Sequence, residues 1–153
     1  MRILVDADAC PVEAKQILYR ASERLAIPLV MVANSPLRLP KSPLISLEVV
    51  AQGADEADDH IVVLAAPGDL VITADIPLAA RVIRKSPQAA VLDPRGAFLT
   101  EGNIGPRLAL RDLMAGLRDG GLNTGGPGAY GPKDKQAFAN QLDRWLQSHR
   151  PSS

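Results

Sequence analysis

Apolar residues fall into two kinds of pattern along the chain. Short continuous runs at 2–5, 27–33, 44–50, 69–75 and 89–93, rich in Val, Ile and Leu, predict strands covered on both faces. Between them the period lengthens to that of a helix. Residues 11–25 carry Ala14, Ile17, Leu18, Ala21 and Leu25 as one stripe, with Pro11 suited to the first turn. Residues 54–66 place Ala57, Ile61, Leu64 and Ala65 inward, and Pro67-Gly68 stops them. A short helix is expected over 76–85, and another over 104–118, capped by Asn103 and ended by Gly120-Gly121. Residues 133–149 close the pattern as an amphipathic helix with Phe138, Leu142, Trp145 and Leu146 inward. The Gly/Pro-rich segment 120–132 reads as a flexible connection to it.

Strands alternating with helices predict an α/β fold: a three-layer α/β/α sandwich around a mostly parallel sheet of about five strands, forming a single domain over 1–150. One connection fits poorly. "NSPLRLPKSP" between the second and third strands is short for a helical crossover, so that pair is expected to be antiparallel or bridged by a single helical turn. No internal repeat is evident.

Composition narrows the function classes. The chain has 153 residues, enough for a substantial core, with 17 basic and 17 acidic side chains. Zero formal charge does not advertise nucleic-acid binding, and any basic surface must be local. Aromatic content of 3% argues against a binder that stacks bases on aromatic platforms. A lone cysteine, Cys10, rules out an intramolecular disulfide and a Cys-rich zinc site and fits a reducing, cytoplasmic setting. Neither a membrane span nor a signal peptide is expected.

The chemistry resides in the acids. The opening "RILVDADACPVEAKQ" ends an apolar strand in Asp6 and Asp8, which share a side if the extended backbone continues between them. Capping of the following helix accounts for one acid and leaves Asp6 unexplained. Asp75 and Asp93 also end predicted strands, and parallel strands would bring all three to one sheet edge, where open α/β sheets bind ligands. Asp55, Asp58 and Asp59 stand at i, i+3 and i+4 on the second helix. A solvated acidic face explains that helix alone. Together with strand-end acids, the cluster calls for a cation, and oxygen-only donors point to Mg²⁺ or Mn²⁺. Arg107, Arg111 and Arg118 form a stripe on the 104–118 helix, either a solvated face or a grip on phosphate. His60 reads as solvated or locally bonded, and Cys10 as structural, since no Arg follows at a phosphatase spacing. The glycines at 120–131 lack the Lys-Ser/Thr ending of a phosphate loop.

"VDADACPV", "GADEADDHIV", "DLVITADIPLA" and "DPRG…NI…RLALRDLM", in that order, resemble the YaiI/YqxD family of bacterial proteins from Met1 to about Trp145. That family is itself similar to PIN-like metal-dependent nucleases. The resemblance implies a strand-end acid at Asp6, a helix acid at Asp58 or Asp59, and a Thr-x-Asp turn at Thr73-Ala74-Asp75, with Asp8 and Asp55 as additional ligands. It implies a phosphodiesterase acting on RNA or DNA, with Arg107 and Arg111 on the backbone. Two alternatives stay open. One is a haloacid-dehalogenase-type phosphatase with Asp6 as nucleophile and Asp8 as acid/base, although the paired acids come early for that superfamily. The other is a non-catalytic nucleic-acid- or protein-binding module.

Overall fold

The computed structural model describes residues 1–53, 55–121 and 128–149. Among these residues, six strands form one sheet: β1 (Ile3–Asp6), β2 (Leu29–Ala33), β3 (Ile45–Val49), β4 (Leu70–Ile72), β5 (Ala90–Leu92) and β6 (Phe98–Leu99). Their order is β3-β2-β1-β4-β5-β6, parallel throughout except for the β5–β6 pair. Among the described residues, five α-helices complete the fold: α1 (Val12–Leu25), α2 (Glu56–Leu64), α3 (Ile76–Lys85), α4 (Glu101–Asp119) and α5 (Pro132–His149). The expected segment 120–132 includes 122–127, which lie outside the described residues.

Strand alternation sorts the core into two halves. Ile3, Val5, Leu29, Met31 and Ile72 face α1 and α5, meeting Ala14, Leu18, Phe138, Leu142 and Leu146. Leu4, Val30, Val32, Val71 and Val91 face the other way, onto Ala57 and Ile61 of α2 and Leu78, Val82 and Ile83 of α3. The central strands β1, β2 and β4 are thus buried on both faces, which is why they read as unbroken apolar runs. Trp145 is only half-buried and stacks on His149 with ring centroids 4.3 Å apart.

The structure corrects three expectations. β2 and β3 are parallel, in register from Leu29–Ile45 to Ala33–Val49. Their connection contains no helix; it returns as extended chain, with Leu37 and Leu39 packed against the α1 side of the core. Extended backbone covers more than twice the distance per residue of a helix, so a short proline-rich segment suffices. A sixth strand pairs antiparallel with β5 across a turn at Gly96, which has φ +93°. Finally, α4 starts earlier than expected. The Thr100 N–H donates to Asn103 Oδ1 at 2.8 Å and the Asn103 N–H to Thr100 Oγ1 at 3.3 Å, a reciprocal cap that puts Thr100, not Asn103, before the helix.

Candidate functional site

Strand order reverses around β1: β2 lies on one side and β4 on the other, and the chain turns outward both ways. Asp6 is the last residue of β1, and the β1–β4 register pairs Val5 with Ile72, setting Asp6 beside Thr73. Alternation places Asp6 on the side of Leu4, toward α2 and α3. The Thr73 hydroxyl donates to Asp6 Oδ2 at 3.0 Å, and the Asp75 N–H donates to the same hydroxyl oxygen at 3.0 Å. Asp75 Oδ1 accepts from the Leu78 N–H at 3.0 Å, capping α3. One carboxylate oxygen of Asp75 is therefore held in a helix cap.

Burial dominates the electrostatics. It raises the pKa of Asp6, against the Thr73 hydrogen bond that lowers it, and the charges of Asp75 and Asp8 raise it further. Asp58 is pushed up to about 6, first by burial, then by Asp75, Asp6 and Asp55, with Arg81 opposing. Three elements therefore supply acids that sense one another: β1 gives Asp6, the first turn of α2 gives Asp58, and the β4–α3 turn gives Asp75.

Of the other expected site residues, Asp8 and Asp55 are near enough for their charges to act on Asp6 and Asp58 respectively, while Asp59 and Asp93 are engaged elsewhere. The backbone enters a 3₁₀ turn, Ala7–Ala9, directly after Asp6, so the extended geometry that would align Asp8 with Asp6 is absent. Asp8 is exposed and its Oδ2 accepts from the Asn34 N–H at 2.8 Å. Asp55 occupies the cap position of α2 without a capping side-chain bond. Asp59 pairs with Arg81 at 2.7 Å on the exposed side. Asp93 directly follows β5, but its Oδ1 accepts from the Arg95 and Ala97 N–H groups and closes the β5–β6 turn. His60 meets Glu48 at 3.1 Å. Cys10 is buried, and burial raises its thiol to about 12, so it is no nucleophile.

A cleft of about 680 Å³ opens between the acid edge and α4, lined by Ala9, Ala74, Asp75, Ile76, Arg107, Leu110, Arg111 and Met114. The two arginines thus share a cavity with Asp75. The Arg118 side chain lies outside the described residues. Arg81, Ile76, Leu110 and Met114 were not foreseen as site residues. Arg81 faces the acidic first turn of α2 from α3, a tertiary relation with no spacing signature.

Asp6, Asp58 and Asp75 offer hard oxygen donors, the set suited to Mg²⁺ or Mn²⁺, and burial, with like charge added, raises the pKa of Asp6 and of Asp58. Among the described residues, however, no three His, Cys, Asp or Glu side chains are grouped closely enough to hold an ion as they stand. The donor chemistry fits a divalent ion.

The fold and site define a doubly wound α/β protein with an acidic cluster at its switch point. Residues 4–148 match the family model described as "Uncharacterized BCR, YaiI/YqxD family", and the chain belongs to that family. A UPF0178 protein from Shewanella sp. (strain ANA-3) is 56% identical over 145 residues, covering 95% of each chain. One from Paraburkholderia phytofirmans is 54% identical over 151 residues, covering 99% of this chain and 90% of its own. One from Shewanella halifaxensis is 51% identical over 153 residues, covering 100% of each. No solved structure matches the chain. No helix among the described residues is long and apolar enough to cross a membrane.

Proposed function

We propose that the protein is a metal-dependent phosphodiesterase acting on RNA or DNA. The observation that carries this reading is the convergence of Asp6 and Asp75 on the Thr73 hydroxyl at the β1/β4 switch point, beside Asp58, in a setting where burial and like charge disfavour the ionised forms of Asp6 and Asp58. Such a site gains most from a cation. Mg²⁺ or Mn²⁺ would be held by Asp6, Asp58 and Asp75, with Asp8 and Asp55 at the periphery, and would supply Lewis acidity toward a phosphodiester.

The chain's own residues do the remainder. Thr73 orients Asp6 through its hydroxyl and ties Asp75 to the same point. Arg107 and Arg111, one helical turn apart on the cleft wall, hold phosphate oxygens through their planar forks. Arg81 balances the outer acids by engaging Asp59. The likeness to PIN-like nucleases suggested by the Asp6, Asp58 and Thr73-Ala74-Asp75 motifs supports the same assignment. The phosphatase alternative needs Asp8 poised beside Asp6 as acid/base, and Asp8 is instead held by the Asn34 N–H.

The test is cleavage of labelled RNA and DNA, single-stranded and structured, with Mn²⁺ or Mg²⁺ against a chelator. Asp6→Asn should abolish metal-dependent cleavage. Cleavage that survives Asp6→Asn would come from elsewhere and would remove the assignment.

A further inference from the structure

The cleft beside Asp75 contains more than phosphate recognition requires. Two arginines would suffice to hold a phosphodiester, yet the same cavity presents Ile76, Leu110 and Met114, with Ala9 and Ala74 beside them. Leu110 is 54% exposed. No residue of α4 from Glu101 to Leu117 is fully buried; the helix stands against α3, with Ile104 packed on the core and Leu110 and Met114 lining the cavity. An aliphatic wall repels water and gives nothing to a sugar-phosphate chain. It does favour a flat, weakly hydrated ring face.

We propose that this cleft receives one unstacked base of a single-stranded nucleic acid, with Ile76, Leu110 and Met114 against its face and Arg107 and Arg111 on the adjoining phosphates. The proposal rests on the phosphodiesterase reading and names the substrate class for that same site. Its volume of about 680 Å³ lies within the range of sites that enclose a small ligand. Charge and apolar surface are divided as a nucleotide divides them, with guanidinium groups for the phosphate and hydrocarbon for the base. A duplex keeps its base faces stacked inside and cannot offer one to a wall set beside the acids, whereas a single strand can splay a base out. The thioether of Met114 is flexible and polarisable, and packs well on ring systems of different shape. The wall carries no aromatic platform and no base-edge code, so the cleft tolerates different bases while selecting for strandedness.

The experiment measures binding of the wild-type protein in EDTA to a 12-nucleotide strand carrying one 2-aminopurine, free or annealed to its complement, at three salt concentrations. The free strand should bind about tenfold more tightly than the duplex. Its 2-aminopurine emission should rise on binding as the base leaves its neighbours. Leu110→Ser and Met114→Ser, both at accessible positions, should each weaken single-strand binding several-fold to about tenfold at every salt concentration. They should leave the salt slope intact, whereas Arg111→Ala should flatten it by about 0.7. Equal affinity for duplex and single strand, a silent 2-aminopurine, or indifference to both wall substitutions would overturn the proposal. So would a dimer that Leu110→Ser converts to monomer with strand binding unchanged, which would give this wall to a second copy of the chain. Parallel Mn²⁺-dependent cleavage keeps the two readings apart. Cleavage without strand selectivity rejects the base cleft and retains the phosphodiesterase. Selective, wall-dependent binding without cleavage supports the cleft and rejects the chemistry.

Discussion

Thr73 holds two of the three coupled acids in place. Its buried hydroxyl donates to Asp6 and accepts from the Asp75 N–H, so Thr73→Val would strand a buried carboxylate oxygen and a backbone donor together. A lost partner for a buried polar group costs about 1–3 kcal/mol. Thr73→Ser keeps both bonds and loses only a methyl group, so chemical denaturation should place Ser near wild type and Val well below it. Equal losses would assign the effect to packing of the methyl. Asp58 makes the opposite kind of prediction. Its pKa rises from 3.8 to about 6 on folding. Between those values the folded chain binds more protons than the unfolded one, so the Asp58 contribution to stability is present below about pH 4 and is lost as pH rises toward 6. In chelator, Asp58→Asn should therefore melt above wild type at pH 7.5, and the advantage should vanish near pH 4. A half-exposed position makes the effect modest. A pH-independent advantage would show that charge is not its cause.

At the scale of elements, each candidate acid is also part of the local structure, and this decides which acids a sequence can identify. Asp75 caps α3 through the Leu78 N–H. Asn caps as well as Asp, whereas Ala forfeits about 1 kcal/mol. Asp75→Asn should keep thermal stability in chelator while diminishing any cation effect, and Asp75→Ala should lose both. If Asn and Ala melt alike, the cap contributes nothing. Asp75, expected to end the 69–75 strand, lies three residues beyond β4, in the turn that caps α3. Asp6 was legible as a strand-end acid because an unbroken apolar run leads into it. The long periodic helices were legible for the same reason, and so was the layering. What escaped the sequence was set by contacts of short range and low periodicity. β6 has two residues and no period to read. Asp93 ends an apolar run as Asp6 does, but two backbone N–H groups of the β5–β6 turn hold its carboxylate. Asp58 and Asp59 are neighbours on one helix, and only the positions of Asp75 and Arg81 on the next segment separate the acid that faces inward from the one that pairs outward. The parallel β2–β3 pair was missed because the length rule for crossovers assumes a helix, and this one is extended.

For the whole molecule, the acids join segments that the sheet alone connects only through backbone pairing. Asp6 belongs to the central strand, Asp58 to the helix that precedes β4, and Asp75 to the turn that follows it. A cation held by all three would bind the folded chain and not the unfolded one, so it should stabilise the fold by mass action. At a hundredfold excess over its Kd the gain is about 2.7 kcal/mol, which for a domain of this length raises Tm by about 5–11 °C. The shift should be larger at pH 7.5 than at pH 5, because below about 6 the ion must displace a proton from Asp58. Asp58→Asn and Asp75→Asn should each reduce it. Asp134→Asn supplies the control. Asp134 lies on α5, across the sheet from α2 and α3, where it pairs with Arg95 at 2.9 Å. That substitution should lower Tm with and without Mn²⁺ by the same amount and leave the shift intact. Thermal melts over a Mn²⁺ titration at the two pH values read all of this in one experiment. A melting temperature indifferent to Mn²⁺ at pH 7.5 would leave the three acids as a strained cap-and-strand arrangement with no cation to relieve it, and the phosphodiesterase assignment would fall with them.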